Sequence, residues 1–544
     1  MSSIDVSEIF DGIQPAAKRR RDDNYGQSVA NLNTGNADTA EILAALEEDD
    51  SQEESVDETA VKRIVLQLEK RTLRNREMRI KHADDPQKFM ESEVELNTAI
   101  QEMHCIATQP DLYGIVVETG AISTLMQLLA HENTDIIGAV LSLLQELTDV
   151  ETISEGVESA LELIGALVEE RLAETIVQQS FERLNEAVKD EADAVNNALI
   201  IIDNILDPMP QFAAKCVEQG LFKWLLNRAC KKSNFDANKM YASELLALIL
   251  QLADVAREQL CADVNGVDMI LTALASYKRR DPGSPDENEH MENLFGALCA
   301  SLLYAPNRLK FLEGEGIQLM NLMLREKKQS RQSALKVLNH ATTGPEGREL
   351  CSKFVEIFGL RTLFPLFMKT PTKAKRKDTS PNEHEENVCS IIASLFRFVD
   401  LDSRQRLILK FVEHEQEKVD RAIELILKYQ HRLRSFEKRN AQGPSTSQED
   451  EDEDEKYIQR LDAGLYTLQL VSLILTDVCV GSHVCLSRAE KVFRMKTKNG
   501  NVLAHLGPVL EDYIEHLGEE AVEEKKRVGD MLLALEGMVD APAQ

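Results

Sequence analysis

The chain is poor in aromatic side chains and in positive charge. Phe, Trp and Tyr make up 5% of its 544 residues, and Trp224 is the single tryptophan. Sheets draw on aromatic and β-branched residues, so a chain led by Leu, Ala and Ile predicts helices packed on helices. Lys plus Arg number 62 against 93 Asp plus Glu, a formal net charge of -31. Such a deficit argues against direct contact with nucleic acid or an anionic membrane, which needs clustered positive charge. The nine cysteines (Cys105, Cys216, Cys230, Cys261, Cys299, Cys351, Cys389, Cys479 and Cys485) never form a C-x-x-C pair. That spacing argues against a disulfide frame or a zinc site and predicts buried thiols in a reducing compartment. The opening "MSSIDVSEIFDGIQ" has no apolar core, so no signal peptide is expected. The most apolar stretch, "LYTLQLVSLILTDVCV" (465–480), is 16 residues long and contains Gln469 and Asp477. It predicts a buried helix rather than a membrane span, in a soluble intracellular protein.

What the chain does have is organised by composition. Residues 1–56 are polar and run into the acidic tract "EEDDSQEESVDE" (47–58), which predicts a disordered tail. A second break, 440–456, holds seven consecutive acids from Glu449 to Glu455 and predicts an acidic disordered linker. Between them a unit recurs: a Gly, an apolar helix, a polar turn and a second apolar-faced helix. "TGAISTLMQLLAHENTDIIGAVLSLLQELTD" (119–149) is the first copy. The cadence returns at Gly220, Gly266, Gly316 and Gly359, with Glu170 standing in phase where a Gly is expected, and with insertions such as "YKRRDPGSPDENEH" (277–290). A helical unit of this length is the mark of armadillo and HEAT solenoids. The predicted fold is therefore all-α, an armadillo/HEAT-like right-handed superhelical solenoid behind a disordered acidic and basic tail. Its expected divisions are the tail (1–56), an N-terminal helical cap (57–118), armadillo-like repeats (119–439), the acidic linker (440–456) and a C-terminal helical region (457–544).

Catalytic patterns are missing. The chain has no G-x-x-x-x-G-K-[ST], G-x-G-x-x-G, H-E-x-x-H or G-x-S-x-G. His104 beside Cys105 points about 100° away from it on a helix, a poor arrangement for proton transfer. His384, in "NEHEEN", is predicted in a polar, solvated loop. The expectation is a chain without catalysis, cofactor or metal. Recognition remains, because a stack of helices with a concave face is a binding surface. Import receptors of this architecture use W-x-x-x-N on the inner helix of each repeat. Here Ser142 and Glu146, Ile200 and Asn204, and Lys336 and His340 occupy those positions, while Trp224 falls on the other helix of its unit. An acidic inner face can still select basic peptides by charge, and Glu146, Asn204 and the adjacent Asp203 are the candidate contacts.

Several strings carry a resemblance. "FMESEVELN" (89–97), "LLQELTD" (143–149), "EGIQLMNLMLREKK" (315–328), "GLRTLFPLFMK" (359–369) and "RLDAGL" (460–465) are similar to the beta-catenin-like family of nuclear armadillo proteins. The resemblance spans about residues 59–480 and implies a nuclear protein attached to the spliceosome. The implied partners are the NineTeen-type complex and its Myb-related component, gripped through basic, localisation-like segments. An import receptor acting on the tail and self-association complete the partners expected, with a cargo carrier or an armadillo signalling adaptor as the alternative functions. In the tail, "PAAKRRRDD" (15–23) places Lys18, Arg19, Arg20 and Arg21 in a polar setting, the form of a nuclear localisation signal. A second basic stretch, "KTPTKAKRKDTSPNE" (369–383), is expected as a surface loop. Thr370 and Ser380, each followed by Pro, are its candidate phosphosites.

Overall fold

The computed structural model describes residues 57–263, 265–371, 380–440, 453–497 and 500–539. The tail with Lys18–Arg21, most of the linker 440–456 and the basic run 372–379 lie outside the described residues. Every regular element among those described is a helix. Two of them, α1 (Glu58–Lys81) and α2 (Pro86–Glu102), pair at the N-terminal end. The repeat follows, each unit made of a short first helix, a tight turn, a second helix and a longer third helix. The third helices are α3 (Thr134–Leu147), α4 (Lys189–Leu206), α5 (Ala237–Leu252), α6 (Pro285–Ser301), α7 (Arg331–Thr342) and α8 (Pro381–Phe398). Side-chain caps start several of them: Asn133, Asp236, Ser284 and Ser380 accept from backbone N–H groups two or three residues on. Together these units form an all-α, armadillo-type solenoid.

The turn between the first and second helices explains the glycine cadence in two ways. Gly120 (φ 75°) and Gly220 (φ 88°) hold the left-handed conformation themselves. In the units at 171, 315 and 358 that conformation falls on Arg171, Glu315 and Phe358 instead. The glycine that follows in the last two has a different duty. A Cβ on Gly316 would stand 2.3 Å from the Phe311 ring of the helix before it. The in-phase residue at 170 is thus displaced by one: Arg171 makes the turn.

A seventh unit has no glycine to mark it. Its first helix is Leu401–Val412, its turn passes through Glu415 (φ 54°), and its second helix is α9 (Glu417–Asn440). The third begins at Glu453, and its apolar part is α10 (Tyr466–Gly481), which packs on α8 and α9. α10 carries all but the first residue of the 16-residue apolar stretch, and thirteen of its residues, from Thr467 to Cys479, are buried. The helix running from Asp454 to Gly481 is long and apolar enough to cross a membrane, but its apolar part is enclosed by other helices. Beyond it α11 (His483–Thr497), α12 (Val502–His516) and α13 (Val522–Val539) close over α10. A buried ionic cluster fixes them. Asp477 of α10 contacts Arg404 and, at 3.4 Å, Arg527 of α13. Glu524 pairs with Arg527 (2.9 Å) and Arg397 (3.0 Å). One apolar core runs from Val61 to Leu535.

Candidate peptide-binding face

The third helices stack on one another in chain order, from α3 to α8 and on to α10. Side-chain rungs join them, several at their N-terminal ends. Thr134 bonds Glu191 (3.3 Å), Asn238 bonds the Ala192 carbonyl (2.9 Å) and His290 meets Ser243 (2.9 Å). Ser333 then donates to Glu292 (2.6 Å) and Asn339 to Asn387 (2.8 Å). Neighbours cover two flanks of each helix and leave one stripe facing out. On α4 that stripe passes through Asp193, Asn197 and Ile200 and ends at Asp207, each exposed or half-buried.

The charge of the third helices is one-sided. α3 to α6 carry eleven acidic residues against two lysines, Lys189 and Lys239. Lys239 is partly spent, since its Nζ donates to the Lys231 carbonyl (2.7 Å). α7 reverses the sign, with Arg331 and Lys336 and no acid. At the starts of α4 and α5 a cavity of about 280 Å³ is lined by Asp193, Asn196, Asn238 and Asp236. Arg228 closes one wall, paired to Glu186 (2.7 Å) and Asp236 (2.6 Å). Burial pushes the Glu186 carboxyl up, but bonds from Arg228 and Asn238 outweigh it and hold the group below its ordinary value.

The candidates from sequence occupy this face unequally. Glu146, near the end of α3, keeps 47% of its side chain exposed and is met by His104 Nδ1. Tyr113 lies beside it, fully buried, its hydroxyl unpartnered among the described residues. Burial and the charges of Glu146 and Asp149 push that phenol up. Asp203 is half-buried and accepts from the Tyr241 hydroxyl (3.3 Å). Asn204 is 4% exposed, and its Nδ2 has no partner among the described residues. Glu146 and Asp203 therefore present carboxylates on neighbouring helices, and Asn204 sits beneath as a buried donor. Lys336 and His340 fall on the sign-reversed α7, where burial pulls the His340 imidazole down to about 4. Asp193, Glu244 and Glu289 belong to the same face and were not singled out from sequence. Counting charge on every third helix would have found them.

The other sequence candidates resolve individually. His384 is not in a polar loop: it lies on α8, 2% exposed, its Nε2–H donating to the Leu366 carbonyl (3.2 Å) and its Nδ1 3.0 Å from the Gln332 amide. The acids around it turn outward at the helix start, and the imidazole turns in. His104 and Cys105 sit on a short 3-10 turn, and burial pushes the Cys105 thiol up, away from a reactive thiolate. Trp224, on the second helix of its unit, stacks on Phe181 with ring centroids 4.1 Å apart. Thr370 is half-buried, donating to Glu385 (2.6 Å) and accepting from Arg421 (2.6 Å). Ser380 caps α8 through the Glu383 N–H (3.1 Å). Among the described residues no cluster of His, Cys, Asp or Glu is arranged to hold a metal ion.

Residues 40–507 match the family described as catenin-beta-like, Arm-motif containing nuclear. Beta-catenin-like protein 1 of Mus musculus is 47% identical over 471 residues, 85% of this chain and 83% of its own length. The beta-catenin-like protein 1 homolog of Schizosaccharomyces pombe is 32% identical over 491 residues, 89% of this chain and 84% of its own. The solved structure of SYS-1 aligns at a TM-score of 0.45 and 13% identity, over 93% of this chain and 85% of that one.

Proposed function

Because the chain belongs to the catenin-beta-like family of Arm-motif nuclear proteins, we propose that it is a non-enzymatic nuclear scaffold whose α3–α6 face holds basic segments of partner proteins. The setting inferred from the family resemblance is pre-mRNA splicing. The partners are components of a NineTeen-type complex, its Myb-related member among them, and an import receptor reads Lys18–Arg21 of the tail. One observation supports this reading above others: eleven acids against two lysines on four consecutive stacked helices. A basic peptide laid across them meets a carboxylate at each step. Its binding is modest and salt-sensitive, because charges on an open face are screened over about 8 Å at physiological ionic strength.

The test is fluorescence polarisation of a labelled Lys/Arg-rich peptide titrated with the full chain at low and physiological salt. Micromolar binding is expected, weakening with salt and falling about tenfold in Glu146→Lys and in Asp203→Lys, an order set by losing one charge contact of about 1.4 kcal/mol. Binding indifferent to both reversals would place recognition on another surface.

A further inference from the structure

We propose that the chain's own Lys18–Arg21 docks in cis on the face shared by α3 and α4, at Glu146, Asp149, Asp203, Asn204 and Asp207, and competes there with partner segments. The inference rests on the reading of that face as a basic-peptide site.

Charge is the first ground. Lys18 to Arg21 are four consecutive cations in a chain of net charge -31. The charged residues on the outward stripes of α3 and the second half of α4 are all acids. The second ground is Asn204. Its amide N–H is buried without an acceptor, on the stripe that also holds Asn197, Ile200 and Asp207. An unmet buried donor costs about 1–3 kcal/mol, and a peptide carbonyl laid along the stripe is the group that would satisfy it.

The third ground is where the tail leaves the body. α1 runs antiparallel to α2, as its pairs show: Arg79 with Glu93 (2.7 Å), Arg74 with Glu95 (2.6 Å) and Arg71 with Glu102 (3.7 Å). The Asp57 end of α1 therefore lies toward the Glu102 end of α2. Just past that end His104 contacts Glu146. The tail departs on that side, about 20 Å of helix beyond the Arg71–Glu102 pair. The fourth ground is reach. Arg21 precedes Asp57 by 36 residues, and a chain of that length spans about 120 Å at full extension and about 35 Å on average as a coil. The way back along α1 to Glu102 is about 20 Å and adjacent stacked helices stand about 10 Å apart, so α3 and α4 fall well inside the full extension.

Tethering sets the size of the effect. A linker of this kind gives an effective concentration of about 1 mM, so a contact of about 50 μM intrinsic affinity weakens an added peptide about 20-fold. The experiment titrates a labelled synthetic peptide of residues 11–25 with the full chain and with the full-length K18A/R19A/R20A/R21A variant. The altered residues precede the helical body, and circular dichroism melts check that it is unchanged. The expected result is about 20-fold tighter binding to the variant, a difference that shrinks at about 0.5 M salt, where screening is nearly complete. Adding Glu146→Lys and Asp203→Lys to both chains removes the difference. Equal affinity for the two starting chains overturns the cis contact and leaves the face intact as a site for partners. No binding to the K18A/R19A/R20A/R21A chain overturns the face itself.

Discussion

Replacing Asp477 by Asn tests what holds the C-terminal helices to the stack. The Asp477 carboxyl is 2% exposed and touches two guanidiniums, those of Arg404 and Arg527. Burial pushes this carboxyl up, and the two cations oppose that shift. Removing one member of a buried ion pair costs about 3–5 kcal/mol when the other is left without compensation. Here the loss is smaller. Arg527 keeps Glu524 at 2.9 Å, Arg404 keeps the Phe396 carbonyl at 3.0 Å, and both side chains are about a quarter to a third exposed. About 2–3 kcal/mol remains, concentrated on α11–α13, because stability in a stack is a sum of local and nearest-neighbour terms. The assay is native-state hydrogen exchange. Amides of α11–α13 should exchange about 30- to 140-fold faster in Asp477→Asn, at tenfold per 1.4 kcal/mol, while those of α3–α6 keep their rates. Asp420→Asn is the comparison, since Asp420 also ties α9 to α11 through Arg488 (2.5 Å) but is 36% exposed. That change should cost under about 1 kcal/mol. Equal effects from the two substitutions would refute the argument that burial, and not pairing as such, sets the size of the loss.

The two candidate phosphosites should respond unequally to a negative charge. Thr370→Asp places a carboxylate against the buried Glu385 and should lower the melting transition, an effect of about 1–3 kcal/mol, whereas Ser380→Asp keeps a capping oxygen at the start of α8 and should leave it within about 0.5 kcal/mol. His290 supplies a pH dependence: burial, then the charge of Lys239, lowers its imidazole from 6.5 to about 4. The unfolded chain thus takes up this proton first, so the contribution of His290 is complete above about pH 6.5 and is lost as the pH falls toward 4. At pH 5 the loss is about 2 kcal/mol, readable from denaturation midpoints at pH 7 and 5, and a ring titration by NMR near 6.5 would contradict it.

The repeat was legible because two separate constraints both demand glycine at one point of the unit. Gly120 and Gly220 take a backbone angle that side chains resist, and Gly316 and Gly359 make room for the Phe311 and Phe354 rings. At Glu415 (φ 54°) a side chain takes the left-handed turn, as at Arg171, so no glycine marks the unit and the signal vanished. There the third helix is also separated from the second by the acidic run, so the seventh unit could not be seen. "YKRRDPGSPDENEH" read as an insertion, yet from Pro285 it is helix: Ser284 caps α6 and the acids beyond it sit in the first turn, which favours them. His384 misled in the same way, since a polar neighbourhood in sequence is also what a helix start looks like. On the face, charge could be counted from sequence, and Glu146 and Asp203 lie part-exposed on consecutive stacked helices. The burial of Asn204 could not, because it depends on how closely the adjoining helices pack.

Under the proposed function, the reversal of charge at α7 would make the acidic face a gauge of length. Four helices about 10 Å apart span about 30 Å between the first and last axes. An extended peptide advances about 3.3 Å per residue, so about nine residues lie over carboxylates before the next step meets Arg331 and Lys336. A basic segment of that length is accommodated whole. A longer one would have to end, bend away or turn acidic at the tenth position, so the proposed function predicts selection for where a cationic run stops as well as for its presence.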